Sequence, residues 1–355
     1  MRIVARKDII ESILINAQAF LEKKDPTNIT SHIYINAADN NVLIRATDSE
    51  IGLEINSNQF QIIEPGVFTA NGKKLLDIVR SLKDDNIEFS IEDNNLIIKQ
   101  KSTKFKLPTF SHTEFPTFPT IENKGKISLD SISLIKSLKK IIPAIDINNP
   151  KYELNGALID FKESKTTFVG TDTRRLAIVE LDNSSTQDLA LIIPKKAIIE
   201  IQKLFLDKID IYYDDTSIII KNDQFFIFSR LIDGKYPDYK RIIPQSTKYS
   251  LTIPKKEILE AMKVINIISP EIKITFDNNL ITLESLNQDT QEAKTTIETP
   301  IQIENSYTMA VNSKYLFDFI SQVDGDEFTI KLNEPSLPFV TQSGNFITVI
   351  MPILL

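Results

Sequence analysis

Cysteine is absent from the sequence, and histidine and glycine are scarce, with two and nine residues among 355. Without cysteine there can be neither a disulfide framework nor a thiolate metal site, which fits a reducing compartment. His32 and His112 are 80 positions apart, so neither an HExxH helix nor a Ser/His/Asp set is visible. Neither GxGxxG nor GxxxxGK[ST] occurs among the glycines. The sequence therefore predicts no catalytic residue, no metal site and no cofactor.

Long apolar runs are missing as well. No stretch of about 18 apolar residues could span a bilayer. Arg2, Arg6, Lys7 and Asp8 stand where a signal peptide needs a continuous apolar segment. We therefore expect a cytoplasmic protein that does not bind membranes, and its length favours two or three domains.

What the sequence does contain is a repeat. RATDSEIGLEI at 45–55 resembles VGTDTRRLAIVEL at 169–181, and the Thr-Asp pairs within them are 124 positions apart. TANGKKLLDIVRSL and IIPKKAIIEIQKLF match at an offset of 122, and EFPTF and KYPDY match at an offset of 121. A third copy begins at LTIPKKEILEAMKVINII. The offsets predict three domains, at residues 1–122, 123–245 and 246–355.

Each copy also repeats internally, because a strand followed by a helix returns after about 60 residues and short alternating strands come next. This pattern predicts an α+β fold with antiparallel sheets. The predicted helices are 7–24, 72–83, 131–142, 195–208, 255–268 and 313–322.

Charge is distributed by type of element. The formal net charge is -7, yet the predicted helices contain 18 basic and 9 acidic residues, which leaves a net charge of -16 for the rest. Lysine pairs recur in the first helical turn at 72–74, 194–196 and 254–256, where the helix dipole disfavours cations. A single helix of this kind could simply expose a solvated face. The recurrence instead favours a positive surface that faces a polyanion.

No base-reading motif accompanies these lysines, so we expect contacts to phosphates that are insensitive to sequence. The negative remainder would repel nucleic acid unless the helices formed the inside of a ring. Six helices about 9 Å apart would leave a hole of only about 7 Å, whereas twelve would leave about 24 Å. Duplex DNA, roughly 20 Å wide, requires the larger ring. The charge pattern thus predicts two chains joined head to tail.

Five segments together resemble one family, the bacterial beta sliding clamps, which are processivity subunits of DNA polymerase III. The segments are YELNGALI at 152–159, TDTRRLA at 171–177, IIPKKAIIE at 192–200, LIDGKYPDYKRIIP at 231–244 and VIMPILL at 349–355. The resemblance implies three topologically similar DNA-clamp domains with inner helices and outer antiparallel sheets. It also implies a head-to-tail dimeric ring around double-stranded DNA, without catalysis.

The partners that the resemblance implies are the DNA polymerase III alpha subunit, the clamp loader, other polymerases, ligase and mismatch-repair proteins. These proteins would insert linear peptides into one apolar pocket. The implied pocket residues are Leu154, Thr171, Arg174, Arg175, Leu176, Pro237, Ile242, Asn312, Tyr315, Val349, Met351, Pro352 and Leu355. The implied DNA contacts are Lys24, Lys73, Lys74, Arg80, Tyr152, Lys196, Lys203 and Arg241. The implied dimer contacts are Phe105, Leu107, Ile267 and Ile268.

The TDTRRLA turn departs from the usual family pattern, because Thr173 and Arg174 replace a glycine and a histidine. In the first repeat the turn reads TDSEIGL, so the shared Thr-Asp pair predicts a structural role and the following residues a functional one. We interpret Arg175 as part of the pocket wall and Arg174 as a charge at its rim. A plain core role stays open for most apolar pocket residues and for the dimer residues. A repeat scaffold that never encircles DNA, or an enzyme, is the alternative.

Overall fold

The computed structural model describes residues 1–127, 129–182, 188–206, 208–286 and 292–355. These residues form two compact units, one made of Met1–Ile132 with Lys196–Leu231 and the other of Ser133–Lys195 with Ile232–Leu355. We call them unit 1 and unit 2. Both units consist of antiparallel sheets covered by helices, as the alternating patterns predict.

The described residues contain six α-helices at the six predicted places. They are α1 Lys7–Ala17, α2 Gly72–Ser81, α3 Ser131–Ile141, α4 Lys195–Leu204, α5 Lys255–Ile265 and α6 Ser313–Ile320. A strand precedes each helix, which confirms the strand-then-helix repeat. The predicted ends extend too far, most of all in α1, which was expected to reach residue 24. The predicted end of the fourth helix passes position 207, which lies outside the described residues.

The early end of α1 has a local cause. The Gln18 side chain donates to the Leu14 carbonyl, a group left without a helical partner, and to the Gly72 carbonyl. Phe20 and Leu21, adjacent in sequence, are both buried. The chain passes from α1 into one turn of 3₁₀ helix at Gln18–Phe20, and Leu21 then has extended backbone with φ -88° and ψ 148°.

The strands are short and joined mostly by tight turns. The first thirteen are β1 Arg2–Arg6, β2 His32–Ala38, β3 Asn41–Thr47, β4 Ile51–Ser57, β5 Gln61–Glu64, β6 Gly66–Asn71, β7 Asn86–Glu92, β8 Asn95–Gln100, β9 Thr103–Pro108, β10 Gly125–Ile127, β11 Gly156–Lys162, β12 Lys165–Thr171 and β13 Arg175–Asp182. The others are β14 Leu189–Pro194, β15 Asp210–Tyr213, β16 Ser217–Lys221, β17 Phe225–Arg230, β18 Tyr249–Pro254, β19 Glu271–Asp277, β20 Leu280–Ser285, β21 Lys294–Glu298, β22 Tyr307–Asn312, β23 Glu327–Leu332, β24 Phe339–Ser343 and β25 Phe346–Ile350.

Unit 1 contains two sheets. One has the order β5-β1-β7-β8-β9, and the other has the order β10-β15-β16-β17-β4-β3-β2-β6. The eight-stranded sheet joins distant parts of the sequence where β4 pairs with β17, with Leu53 opposite Ile227 and Ile51 opposite Ser229. We call this pairing the first joint.

Unit 2 repeats the arrangement. Its eight-stranded sheet has the order β14-β11-β12-β13-β25-β24-β23-β18, and its four-stranded sheet has the order β21-β20-β19-β22. Here β13 pairs with β25, with Arg175 opposite Ile350 and Leu176 opposite Val349. We call this pairing the second joint. In the described residues, β9 and β21 each end a sheet with one edge unpaired.

Lysines at the start of three helices bind the ends of neighbouring helical segments. Lys7 donates to the carbonyl of Leu82, where α2 ends, at 2.6 Å. Lys195 donates at 2.6 Å to the carbonyl of Ile145, which follows α3 and its 3₁₀ extension, and Lys255 binds a carbonyl after α6 in the same way. Each of these carbonyls lies just beyond the C-terminal end of a helix, where the helix dipole also favours a cation.

This contact corrects part of the charge argument. A cation in a first turn needs no polyanion when it binds a carbonyl at the C-terminal end of a neighbouring helix, so Lys195 and Lys255 are explained within the fold. The other lysine of each pair, Lys196 or Lys256, is exposed, as are Lys73 and Lys74. Among the lysines of these pairs, only the exposed ones keep the predicted role toward an anion.

A buried histidine gives the fold a pH dependence. His32 is 3% exposed, stacks on Phe110 with ring centroids 4.1 Å apart, and has Nδ1 3.3 Å from the Thr69 hydroxyl. Burial, aided by the charge of Lys74, lowers the pKa of His32 to about 4. Because this pKa lies below the unfolded value of about 6.5, stability is lost as the pH falls from about 6.5 toward 4.

We expect the free energy of urea unfolding to fall by about 2 kcal/mol from this source between pH 7.5 and 5. Replacing the imidazole with a neutral ring, His32→Phe, should remove that part of the pH dependence. The exposed His112 provides the matched control, since His112→Gln should leave it unchanged. The same pH dependence in the parent and in His32→Phe would contradict the assignment.

Candidate functional site

The TDTRR turn between β12 and β13 is ordered by its first two residues. The Thr171 hydroxyl donates to the Arg175 carbonyl at 2.6 Å and accepts from the Thr173 amide at 3.1 Å. Asp172 Oδ1 accepts from the amides of Arg174 and Arg175, each at 3.0 Å. Thr173 adopts a φ of 73°, which threonine rarely does. The predicted structural role of the Thr-Asp pair is confirmed.

The two arginines of the turn have opposite environments. Arg175 is 5% exposed, and its guanidinium donates to Asp172 at 3.0 Å, to Asp318 at 2.7 Å and to the Pro143 carbonyl. It also lies 4.6 Å from the ring centroid of Tyr315. The planar guanidinium thus bridges the turn to α6.

This placement modifies the interpretation of Arg175 as pocket wall. The side chains of successive strand residues point to opposite faces of the sheet, so the Arg175 side chain lies on the face opposite that of Leu176. The Arg175 side chain stabilises the turn through its buried contacts and exposes almost no surface to a ligand. Its partner Asp318, in the helix, was not found by sequence reasoning, because no local spacing connects residues 143 positions apart.

An apolar cluster lies on the Leu176 face. Three predicted pocket residues, Leu154, Leu176 and Val349, are each 2% exposed and belong to it. The buried members of the cluster are Leu154, Leu158, Val169, Leu176, Ile178, Ile192, Ile232, Tyr236, Tyr239, Val340 and Val349, with Ile243 and Ile347 packed against them. The three residues are therefore core residues that could supply only the floor of a pocket.

The other predicted pocket residues differ in exposure, and Thr171 is buried in the turn. Arg174, Ile242, Met351 and Leu355 are exposed, and Pro237, Asn312, Tyr315 and Pro352 are half-buried. The C-terminal segment is attached by backbone hydrogen bonds from Met351 to Arg174 at 2.9 Å and from Ile353 to Ala310 at 2.8 Å. Flexible aliphatic side chains and a thioether around an apolar floor can adapt to several peptides.

Tyr236 belongs to the apolar cluster, which was not predicted from the sequence. It is 8% exposed, and burial raises its pKa. Its neighbour Tyr239 donates to Asp160 at 3.4 Å, and burial raises the pKa of Tyr239 to about 12. Both stay protonated at neutral pH. The KYPDY repeat identified this segment, but nothing in it distinguishes the buried tyrosines from exposed ones.

The eight predicted DNA contacts are all exposed. In unit 1, Lys73, Lys74 and Arg80 of α2 line a groove of about 800 Å³ together with Lys23. In the same unit, Lys24 is exposed in the loop after α1, whereas Lys196 pairs with Asp48 and Lys203 with Glu200. In unit 2, Tyr152 is 66% exposed and Arg241 pairs with Asp238.

The four predicted dimer residues differ in exposure. Phe105 is half-buried and Leu107 is 8% exposed, opposite Leu96 in the core of unit 1. Ile267 is 81% exposed and Ile268 is half-buried in the loop that follows α5. Ile267 is thus the clearest candidate for an intermolecular contact, whereas Leu107 has a core role already.

Within the described ranges, no group of three histidine, aspartate or glutamate side chains could hold a metal ion. No helix among those residues is long and apolar enough to cross a membrane.

The two arginines provide a matched pair of variants. Arg175→Ala would leave Asp318 and Asp172 without their buried partner and should lower the free energy of urea unfolding by about 3 kcal/mol. Arg174→Ala, one residue away on the surface, should change it by less than about 0.5 kcal/mol. Equal effects of the two substitutions would contradict the structural role of Arg175.

Comparison with known proteins assigns the whole chain to one family. Models of the N-terminal, central and C-terminal domains of the DNA polymerase III beta subunit match residues 1–119, 128–238 and 240–353. The beta sliding clamp of Helicobacter pylori strain J99 is 38% identical over 351 residues, 96% of this chain and 94% of that protein. The beta sliding clamp of Caulobacter vibrioides strain NA1000 is 26% identical over 95% of both chains.

The fold agrees with this assignment. A crystal structure of the Helicobacter pylori beta clamp bound to a DNA ligase peptide superposes with a TM-score of 0.93 at 38% identity, and the match covers both chains completely. The described strands and helices therefore form three clamp domains of antiparallel sheets and helices, as predicted. On the three domain matches and the full-length similarity, this chain belongs to the DNA polymerase III beta subunit family, the bacterial beta sliding clamps.

Proposed function

We propose that this protein is a DNA sliding clamp, a non-catalytic processivity factor of DNA polymerase III that works in the cytoplasm. It encircles duplex DNA as a head-to-tail homodimer and tethers DNA polymerase III and other proteins through linear peptides. The observation that carries the proposal is the similarity to beta sliding clamps over the full length of the chain. The domains would be residues 1–122, 123–245 and 246–355; the first boundary lies between the matches at 1–119 and 128–238, and the second lies just inside the match at 240–353.

The two joints support ring closure. In each half-repeat, a strand and a helix are followed by further strands, and the last strand of the hairpins forms the joint. The first joint pairs two such last strands, β4 and β17, and the second joint pairs β13 and β25 in the same way. By the same repeat, β21 should pair with β9, but the described part of one chain leaves both edges open. Pairing β21 of one chain with β9 of the partner, twice, closes the set of joints and leaves neither of these two strands with a free edge.

The repeat also predicts the register of this third joint. Phe225 opposes Ile55 in the first joint, and Phe346 opposes Val179 in the second. We count from the hairpin turns that precede these strands. Thr103 of β9 is then equivalent to Phe225 and Phe346, and Thr295 of β21 is equivalent to Ile55 and Val179. Antiparallel pairing from that point would place Lys104 of one chain opposite Lys294 of the partner. Phe105, a predicted dimer residue, would face the segment just before β21.

DNA contact would come from exposed cations that carry no base-reading geometry. The lysines and arginine of α2, with Lys24, Lys196, Lys203, Tyr152 and Arg241, are accessible to phosphates. The ion pair of Arg241 with Asp238 is exposed on both sides, so it is worth about 0 to 1 kcal/mol and can be exchanged for phosphate. Lys196 is itself exposed, although the side chain of its partner Asp48 is only 17% exposed. The contacts would be independent of sequence and weakened by salt.

Partner peptides would bind above the apolar cluster of unit 2. The Helicobacter pylori relative was crystallised with a DNA ligase peptide. By family, the other partners are the polymerase alpha subunit, the clamp loader, other polymerases and mismatch-repair proteins. In the described residues the Arg174 side chain forms no ion pair, while its backbone is attached to both Asp172 and Met351. A fixed, unpaired cation at the rim favours a peptide with an acidic residue next to its apolar anchor.

Retention on circular DNA tests the proposed function. Protein placed by a clamp loader on nicked circular duplex should remain bound during gel filtration in high salt, because a closed ring cannot dissociate without opening. Cutting the circle should release the protein within the time of the assay, since a ring slides off a free end. Equal loss from circular and linear DNA would contradict encirclement and favour a scaffold that binds DNA or proteins from outside.

A further inference from the structure

The first joint reproduces the backbone geometry of the predicted peptide pocket. Thr47 donates to the Ile51 carbonyl at 2.8 Å and accepts from the Ser49 amide at 2.9 Å, as Thr171 does in the TDTRR turn. Asp48 Oδ1 accepts from the amides of Glu50 and Ile51, each at 3.0 Å. Ser49 has a φ of 76°, close to the 73° of its counterpart. Glu50 thus occupies the position that Arg174 has in unit 2.

The strand beside this turn matches too. The Arg230 amide donates to the Glu50 carbonyl at 2.8 Å, as the Met351 amide donates to the Arg174 carbonyl at 2.9 Å. Phe228 pairs with Gly52 as Val349 pairs with Leu176. The loop PTFP at 116–119 corresponds, through the EFPTF and KYPDY match, to the loop that begins at Pro237.

A groove of about 740 Å³ lies at this place, entirely within unit 1. Aromatic rings replace the aliphatic floor of the unit 2 pocket. Phe118 and Phe228 line the groove, and their ring centroids are 4.9 Å apart in an edge-to-face arrangement. A Cβ on Gly52 would come within 2.1 Å of the Phe228 ring, so the glycine is required for the ring to lie there. Proline residues on either side of Phe118 restrict the loop that presents it.

The turn residue beside the groove carries the opposite charge, because Glu50 stands where unit 2 has Arg174, and Arg230 stands where unit 2 has Met351. Arg230 and the ion pair of Lys124 with Asp214 line the groove itself. Glu50 is exposed, and its only ion pair among the described residues is with Arg230, at 3.8 Å and exposed on both sides. Such a pair contributes about 0 to 1 kcal/mol and can be exchanged for a cation of a ligand. We propose that this groove is a second docking site for short extended peptides that carry an aromatic or aliphatic anchor next to a basic residue. The inference rests on the proposed function, because it extends the peptide-binding geometry of unit 2 to its repeat in unit 1.

Two peptide probes test the proposal on the full-length dimer. Both are capped hexapeptides with a central leucine followed by the photoreactive benzoylphenylalanine, and they differ only in having lysine or aspartate before the leucine. After irradiation, mass spectrometry identifies the crosslinked residues. The lysine peptide should crosslink to 116–119 or 228–230, and the aspartate peptide to 349–355.

Two charge reversals at equivalent, exposed positions serve as matched variants. Glu50→Arg should weaken binding of the lysine peptide about tenfold and leave the aspartate peptide at its own site, and Arg174→Glu should do the opposite. Unchanged dimer mass and thermal midpoint would show that both variants fold.

The outcomes separate the two proposals. Crosslinking of both peptides only at 349–355 would overturn the second site and keep the pocket of the proposed function. Crosslinking of the lysine peptide alone, at the first joint, would keep the second site and contradict the pocket. Crosslinks elsewhere, crosslinks insensitive to Glu50→Arg, or no crosslinks would overturn the second site.

Discussion

Antiparallel pairing between strands from different repeats is the constraint on which the rest of the structure depends. Each half-repeat ends in a strand that has a partner on only one side within its own hairpin. An unpaired strand edge exposes a row of amides and carbonyls and invites association with any other edge. The first and second joints remove two such pairs of edges and place a Thr-Asp turn beside the end of a neighbouring strand. Candidate binding sites arise at the joints because turn, strand end and apolar cluster meet there.

The two joints show how one backbone geometry can carry different chemistry. The Thr-Asp pair keeps the same hydrogen bonds in both turns, so it specifies the backbone and leaves the next residues free to differ. The Arg175 guanidinium donates to Asp172 and Asp318 and thereby stabilises the second joint. Its counterpart Ile51 is a buried apolar residue. Arg174 and Glu50 occupy equivalent exposed positions in the two turns and carry opposite charges.

The sequence repeat made the domain organisation and the positions of the helices predictable. Offsets between similar segments predicted the three domains and six helix starts, because each repeat must place a strand, a helix and a hairpin in the same order. Contacts between distant residues were not predictable. The burial of Arg175 depends on Asp318, and the role of Lys195 depends on a carbonyl 50 positions earlier. Periodicity reports which face of an element is apolar, but not which group on another element lies opposite a given charge.

The central claim is that β9 of one chain pairs with β21 of its partner. Because the natural sequence has no cysteine, Lys104→Cys and Lys294→Cys in one chain provide a direct measurement. Residues directly opposite in an antiparallel pair have Cα atoms about 4.5 to 5.5 Å apart, which a disulfide can bridge. Mild oxidation should give one covalent product of twice the chain mass on a denaturing gel, and either single variant should give none. Unlinked chains, or a ladder of larger products, would contradict the closed head-to-tail pair.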